Sequence, residues 1–139
     1  MQYQVKTIFK QPIDQVIHGF IDVAMMKRWQ PHLVDIEAVK GVWPESGFEG
    51  YLIYDVTGVK SKMSVKVLEN DLPDKLVFVY EVPGVYNRCD YHFKDLGQQT
   101  DYQMDVIFTF EDGIERPEAL FKGETTRIMN VFKSFIEGI

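Results

Sequence analysis

Tyr3, Val5, Thr7 and Phe9 alternate with Gln2, Gln4 and Lys6, the two-residue period of a strand with one buried face. The period then changes. Pro12 suits the first turn of a helix, and Asp14 suits its positive end. Ile13, Val16, Ile17 and Phe20 fall on one helical stripe, which Gly19 interrupts and weakens. Asp22 is a natural N-cap for a second short helix carrying Met25, Met26 and Trp29 and stopping near Pro31.

From Leu33 onward alternation returns and persists. Leu33 to Val39 reads as a short strand, and Gly41 to Gly50 is a Gly/Pro turn region that opens a hairpin. Phe48, Gly50, Leu52, Tyr54 and Val56 form one row. After a turn at Thr57-Gly58, Val59, Ser61, Met63, Val65 and Val67 form the facing row. Burying one face sets the register and pairs Leu52 with Met63 and Tyr54 with Ser61. A polar turn (Asn70, Asp71, Pro73, Asp74) precedes a strand over Leu76 to Val82, and Pro83-Gly84 turns the chain again. In Val85 to Asp95, Cys89, Tyr91 and Phe93 are the apolar row, and Arg88, Asp90, His92 and Lys94 the polar one. Asp101 to Phe110 follows, with Tyr102, Met104, Val106, Phe108 and Phe110 on one face. One register pairs Tyr91 with Met104, Phe93 with Tyr102, and Lys94 with Asp101 on the wet side.

Pro117 to about Glu137 reads as one amphipathic helix, about 30 Å long at 1.5 Å per residue. Leu120, Phe121, Glu124, Ile128, Val131, Phe132 and Phe135 fall on one broad side. No internal repeat, low-complexity segment or linker interrupts residues 1–139, so one α+β domain is expected. A curved antiparallel sheet would grip the closing helix, with a pocket between them.

Composition narrows the function. Apolar residues are 45% of the chain and charged residues 26%, the balance of an ordinary globular domain. Fifteen basic against 21 acidic residues give a formal charge of −6, which argues against nucleic-acid binding. Lys60, Lys62 and Lys66 alternate with Ser61 and Val65, so they read as one strand's wet face. The single cysteine, Cys89, rules out an internal disulfide. The first ten residues carry no apolar signal core, and no stretch approaches the ~20 apolar residues of a membrane helix. A cytoplasmic location is the resulting expectation. His18, His32 and His92 are scattered, with no His-Glu-x-x-His spacing, and phosphate-cradling glycine motifs are absent, so no metal or cofactor is expected. Cys89 and His92, three apart on a strand, point to opposite faces and form no nucleophile pair. Arg88, Asp90 and His92 share a face, but the apolar row opposite marks theirs as the solvent side.

Pro12-Ile13-Asp14-Gln15-Val16, then Phe20-Ile21-Asp22, then Met26-Lys27-Arg28-Trp29-Gln30-Pro31 resemble the opening of the START-like superfamily. That group includes polyketide cyclase/dehydrase-like proteins, plant-allergen-like lipid carriers and Hsp90-activator-like proteins. Gly47-Phe48-Glu49-Gly50 and the closing helix with Phe132, Lys133 and Phe135 are similar too, so the resemblance covers essentially the whole chain. It implies a helix-grip fold: six or seven antiparallel strands, two short helices after the first strand, and a long C-terminal helix across the concave face. It also implies binding of an apolar or amphipathic ligand and, in some branches, cyclisation or dehydration. The Hsp90-activator-like branch often carries a Gly-Trp pair in its closing helix. Here Gly123 is followed by Glu124, which lowers a co-chaperone reading.

The concave row then becomes the candidate site. It holds Tyr54, Ser61, Tyr80, Asn87, Tyr91 and Tyr102 among Leu52, Met63, Phe78, Met104 and Phe108. Tyrosines have apolar bodies and polar tips, which suit an apolar pocket with a few hydrogen-bonding groups. Simple core filling is the competing reading. In the binding reading Tyr54, Tyr80, Tyr91 and Tyr102 orient the ligand, and Met63, Phe78, Met104, Phe121 and Ile128 line the space. Trp29, Met25 and Met26 cap its mouth, or else only pack the short helices onto the sheet. The enzymatic alternative needs an acid in the cavity. Glu124, on the apolar side of the last helix, is the best candidate, because burial would raise its pKa. The expected partner is a small apolar or amphipathic molecule, with a homodimer left open.

Overall fold

Seven strands form in the computed structural model, which describes residues 1–139. They are β1 (Gln2–Phe9), β2 (Leu33–Lys40), β3 (Glu49–Val56), β4 (Val59–Asp71), β5 (Lys75–Val82), β6 (Val85–Asp95) and β7 (Thr100–Phe110). The helices are α1 (Ile13–Ile21), α2 (Val23–Trp29) and α3 (Glu118–Glu137). The sheet order is β1-β7-β6-β5-β4-β3-β2, and every pair is antiparallel. β1 and β2 therefore lie at opposite edges, and the chain crosses the sheet between them through α1 and α2. Asp22 caps α2 as expected, its carboxylate accepting from the Met25 amide at 3.0 Å.

The registers read from alternation are the observed ones. Leu52 faces Met63, Tyr54 faces Ser61, Tyr91 faces Met104, Phe93 faces Tyr102 and Lys94 faces Asp101. Thr57 and Gly58 both take positive φ, 51° and 85°, as a tight two-residue hairpin requires. β4 runs further than its alternation suggested. A bulge between Val67 and Glu69 resets the pairing with β5 and turns Leu68 outward.

One core cluster joins the inner sheet face to the helices: Val5, Phe9, Val16, Met26, Phe78 and Phe132 are among its buried members. The outer face holds a second buried pair, Val77 and Val79. Their neighbours in register are Glu69 and Asp90, and Lys66 and Arg88. Those charged side chains pair along the surface (Lys66–Glu81 3.6 Å, Lys75–Glu69 3.6 Å, Arg88–Asp90 2.8 Å), and their aliphatic stems shield the valines. The Arg88, Asp90 and His92 row thus lies outside, as the apolar row opposite implied.

Two expectations change. Gly19 does not merely weaken α1: a Cβ there would lie 2.6 Å from Ile136 Cδ1, so its missing side chain lets α1 and α3 approach. The buried face of α3 is also rotated from the expected one. Met129, Phe132 and Ile136 are buried, whereas Leu120, Ile128 and Val131 are exposed. The anchor is β1. Tyr3 Oη lies 2.6 Å from Thr125 Oγ1 and donates to the Phe121 carbonyl at 3.3 Å, and Lys133 donates to the Ile8 carbonyl. These bonds roll the helix toward Thr125 and away from Leu120.

Candidate functional site

A cavity of about 320 Å³ lies between the concave sheet and α3. Such a volume is at the small end of ligand pockets, which span about 300–1,000 Å³. Of its 23 lining residues 19 are hydrophobic, so its walls favour an apolar occupant. Each strand from β3 to β7 contributes through the side of its pleat that faces α3. The helices close the space with Phe20, Met26 and Trp29 on one side and Phe121, Met129 and Phe132 on the other. Two tryptophans stiffen the wall. Trp29 Nε1–H donates to the Gly19 carbonyl at 3.2 Å, and Trp43 Nε1–H to the Ile21 carbonyl at 2.8 Å. Both acceptors are carbonyls at the end of α1, which lack helical partners.

The structure brings together all ten residues singled out from the sequence. Tyr54, Met63, Phe78, Tyr80, Tyr91, Tyr102, Met104, Phe121, Glu124 and Ile128 all line the cavity. Ser61 does not: it is exposed, on the stretch of β4 next to the hairpin turn. Met25 also stays out, whereas Met26 and Trp29 form part of the wall. Sequence reasoning missed Gln30, Trp43, Thr125 and Met129, and placed Phe9, Phe20 and Phe132 in the core without assigning them to the cavity. A lone tryptophan amid Gly, Pro, Glu and Ser, as at Trp43, was the available signal. A large aromatic in a turn needs burial somewhere.

The polar tips differ in how they are used. Tyr54 Oη donates to Gln30 Oε1 at 3.3 Å. Tyr80 Oη and Tyr91 Oη lie 3.1 Å apart and share one hydrogen bond, with the Cys89 thiol beside Tyr91. The Cys89 thiol donates to Asn87 Oδ1 at 3.4 Å. Tyr102 is 4% exposed, yet its hydroxyl bonds to no protein group. No fully occluded side-chain nitrogen or oxygen lacks a partner, so that hydroxyl opens onto the cavity. Burial raises the pKa of Tyr54, Tyr80, Tyr91 and Tyr102, and pushes the Cys89 thiol up to about 12. These groups are neutral donors at physiological pH, and Cys89 is no nucleophile.

Glu124 sits at the rim with 58% of its side chain exposed. Arg127 grips its carboxylate at 2.6 and 3.0 Å, and that bond holds its pKa below the ordinary value. An acid role required burial and a raised pKa; Glu124 instead lies at the helix edge, and its pKa is lowered. No three His, Cys, Asp or Glu side chains converge on a point where a metal would bind. No helix is long and apolar enough to cross a membrane.

Two tyrosine hydroxyls with opposite partnering make a test. Tyr3→Phe removes a bonded hydroxyl and is expected to cost about 1 kcal/mol. Tyr102→Phe removes one without a protein partner and is expected to leave stability unchanged or raise it by up to about 1 kcal/mol. Urea denaturation of both variants decides. Equal losses would show that Tyr102 is bonded within the protein.

No family model matches the chain, and no curated protein matches it. Solved structures do. Ara h 8.0201 superposes with a TM-score of 0.82 at 13% identity, covering 99% of this chain and 95% of that one. Mll3558 from Rhizobium loti gives 0.75 at 18% identity, covering 97% and 96%. CalU16 from Micromonospora echinospora gives 0.70 at 18% identity, covering 97% and 75%. At such identities the shared property is architecture: a seven-stranded antiparallel sheet, two short helices after the first strand and a long helix across the concave face. The chain has a helix-grip fold, shared in architecture with these structures.

Proposed function

We propose that this protein binds a small apolar or amphipathic molecule in the cavity between the sheet and α3. The observation that carries this is Tyr102: a buried hydroxyl without a protein partner, opening onto an apolar space. A core filled only with aromatics gains nothing from a hydroxyl there, since phenylalanine packs as well without a desolvation cost of up to about 1 kcal/mol. Keeping it makes sense if a ligand completes the bond. The neighbouring Tyr80–Tyr91 pair adds further hydroxyls on the same wall. Catalysis by an acid at Glu124 loses its support, because the exposed, ion-paired carboxylate stays ionised.

The uncharged fluorophore N-phenyl-1-naphthylamine tests the reading. Its emission should rise saturably on titration with the protein. Met104→Trp places an indole where a methionine now borders the space, and should weaken binding by about tenfold or more. A thermal melt of the variant shows that it still folds. Unchanged binding in a folded Met104→Trp protein would place the fluorophore elsewhere and sink the proposal.

A further inference from the structure

Resting on the binding reading above, we propose that the cavity takes its ligand uncharged and discriminates against a carboxylate of the same shape. The wall inventory argues for this. No Lys, Arg or His lines the space. The titratable groups that face it are Tyr54 from β3, Tyr80 from β5, Cys89 and Tyr91 from β6, Tyr102 from β7, and Glu124 from α3. What β1, β4, α1 and α2 turn toward it is aromatic rings and methionines alone. Glu124 is the one lining group ionised at neutral pH, and its charge is negative. The guanidinium beside it, Arg127, is not part of the lining and is already held by Glu124 through two hydrogen bonds.

An anion drawn fully into this space gives up its hydration and meets no compensating cation. The phenol donors can bond to it but cannot neutralise it. The protein's own groups respond in the same sense: burial drives Tyr80, Tyr91, Tyr102 and Cys89 toward their neutral forms. A neutral carbonyl, ether or hydroxyl oxygen has none of this cost and accepts the Tyr102 proton. A carboxylic acid should enter only with its proton. Binding then raises the acid's pKa, so protons are taken up. Its affinity rises as pH falls between the bound and the free pKa, by about tenfold per pH unit.

The test uses 2-acetylnaphthalene and 2-naphthoate, which match in shape and differ in charge. Both are compact, which limits how far the polar end can stand from a buried ring. Equilibrium dialysis at about pH 7.5 should show naphthoate binding at least about tenfold more weakly than the ketone. Toward about pH 5.5 naphthoate should gain roughly tenfold per unit while the ketone stays flat. Binding that persists in Met104→Trp is subtracted as lying outside the cavity. Equal, pH-independent affinities for the two probes overturn the charge discrimination and leave the binding reading standing. If neither probe binds, the binding reading falls, and this inference falls with it.

Discussion

Replacing Phe132 with alanine is expected to lower stability by about 4 kcal/mol, the range for deleting a large buried aromatic. For a chain of this length that corresponds to a melting temperature roughly 15 °C lower. The ring is 3% exposed and meets Phe9 at 5.3 Å, Phe20 at 5.7 Å and Trp29 at 5.0 Å, each nearly edge-to-face. Those partners come from β1, α1 and α2, so one side chain of α3 ties four elements together. Collapse into the void is hindered, since Phe9 is fixed by sheet pairing with Thr100 and Trp29 by its bond to the Gly19 carbonyl. Thermal unfolding followed by circular dichroism reads the effect. A loss under about 1 kcal/mol would show that α3 is held mainly by its polar ties to β1.

Gly50→Ala is the second large effect, about 3 kcal/mol destabilising, and its cause is steric. Gly50 pairs with Ala38 on one side and Val65 on the other. A Cβ there would lie 2.1 Å from the Glu37 carbonyl oxygen and 2.7 Å from Phe48 Cζ. The carbonyl belongs to the backbone of β2, beside the register shift between Ala38 and Lys40, and cannot rotate aside. Phe48 is itself 1% exposed and packs edge-on to Trp43 at 5.4 Å, so the strain would reach the cavity wall. Gly123→Ala gives the internal contrast. Gly123 is exposed and nothing lies within 4 Å of its Cβ position, so alanine should stabilise α3 by about 1 kcal/mol. Urea titrations of both variants separate the two cases. A neutral Gly50→Ala would mean that β2 shifts freely against β3.

The sheet was legible in the sequence because alternation records burial directly. The hairpin rows could meet in only one register without exposing Leu52, Met63, Tyr91 or Met104. The cavity floor followed, since the same rows carry the tyrosines. The orientation of α3 was not legible. Leu120 and Val131 are more apolar than Thr125, yet they face solvent while Thr125 and Met129 line the cavity beside Phe121 and Ile128. Contacts far apart in the chain accompany the rotation: Tyr3 bonds Thr125, and Phe132 packs on Phe9, Phe20 and Trp29. Glu124, an acid candidate only if buried, stands at the rim beside Arg127. Val77 and Val79 were hidden in a different way. A continuous apolar run does not reveal that flanking charged stems cover its outer members. Trp43 and Gln30 reach the cavity from loops, where no periodicity aims a side chain.

The methionines provide the most direct test of the central claim, that the cavity is where a ligand sits. Met26, Met63, Met104 and Met129 line it, and Met1 and Met25, the other two of the six, do not. With ¹³C-labelled methionine methyl groups, a titration with 2-acetylnaphthalene reports on all six at once in two-dimensional NMR. Ring currents from a bound aromatic should shift the four lining methyls, while those of Met1 and Met25 stay in place. Saturable binding that moves only Met1 or Met25, or leaves all six unmoved, would contradict the account.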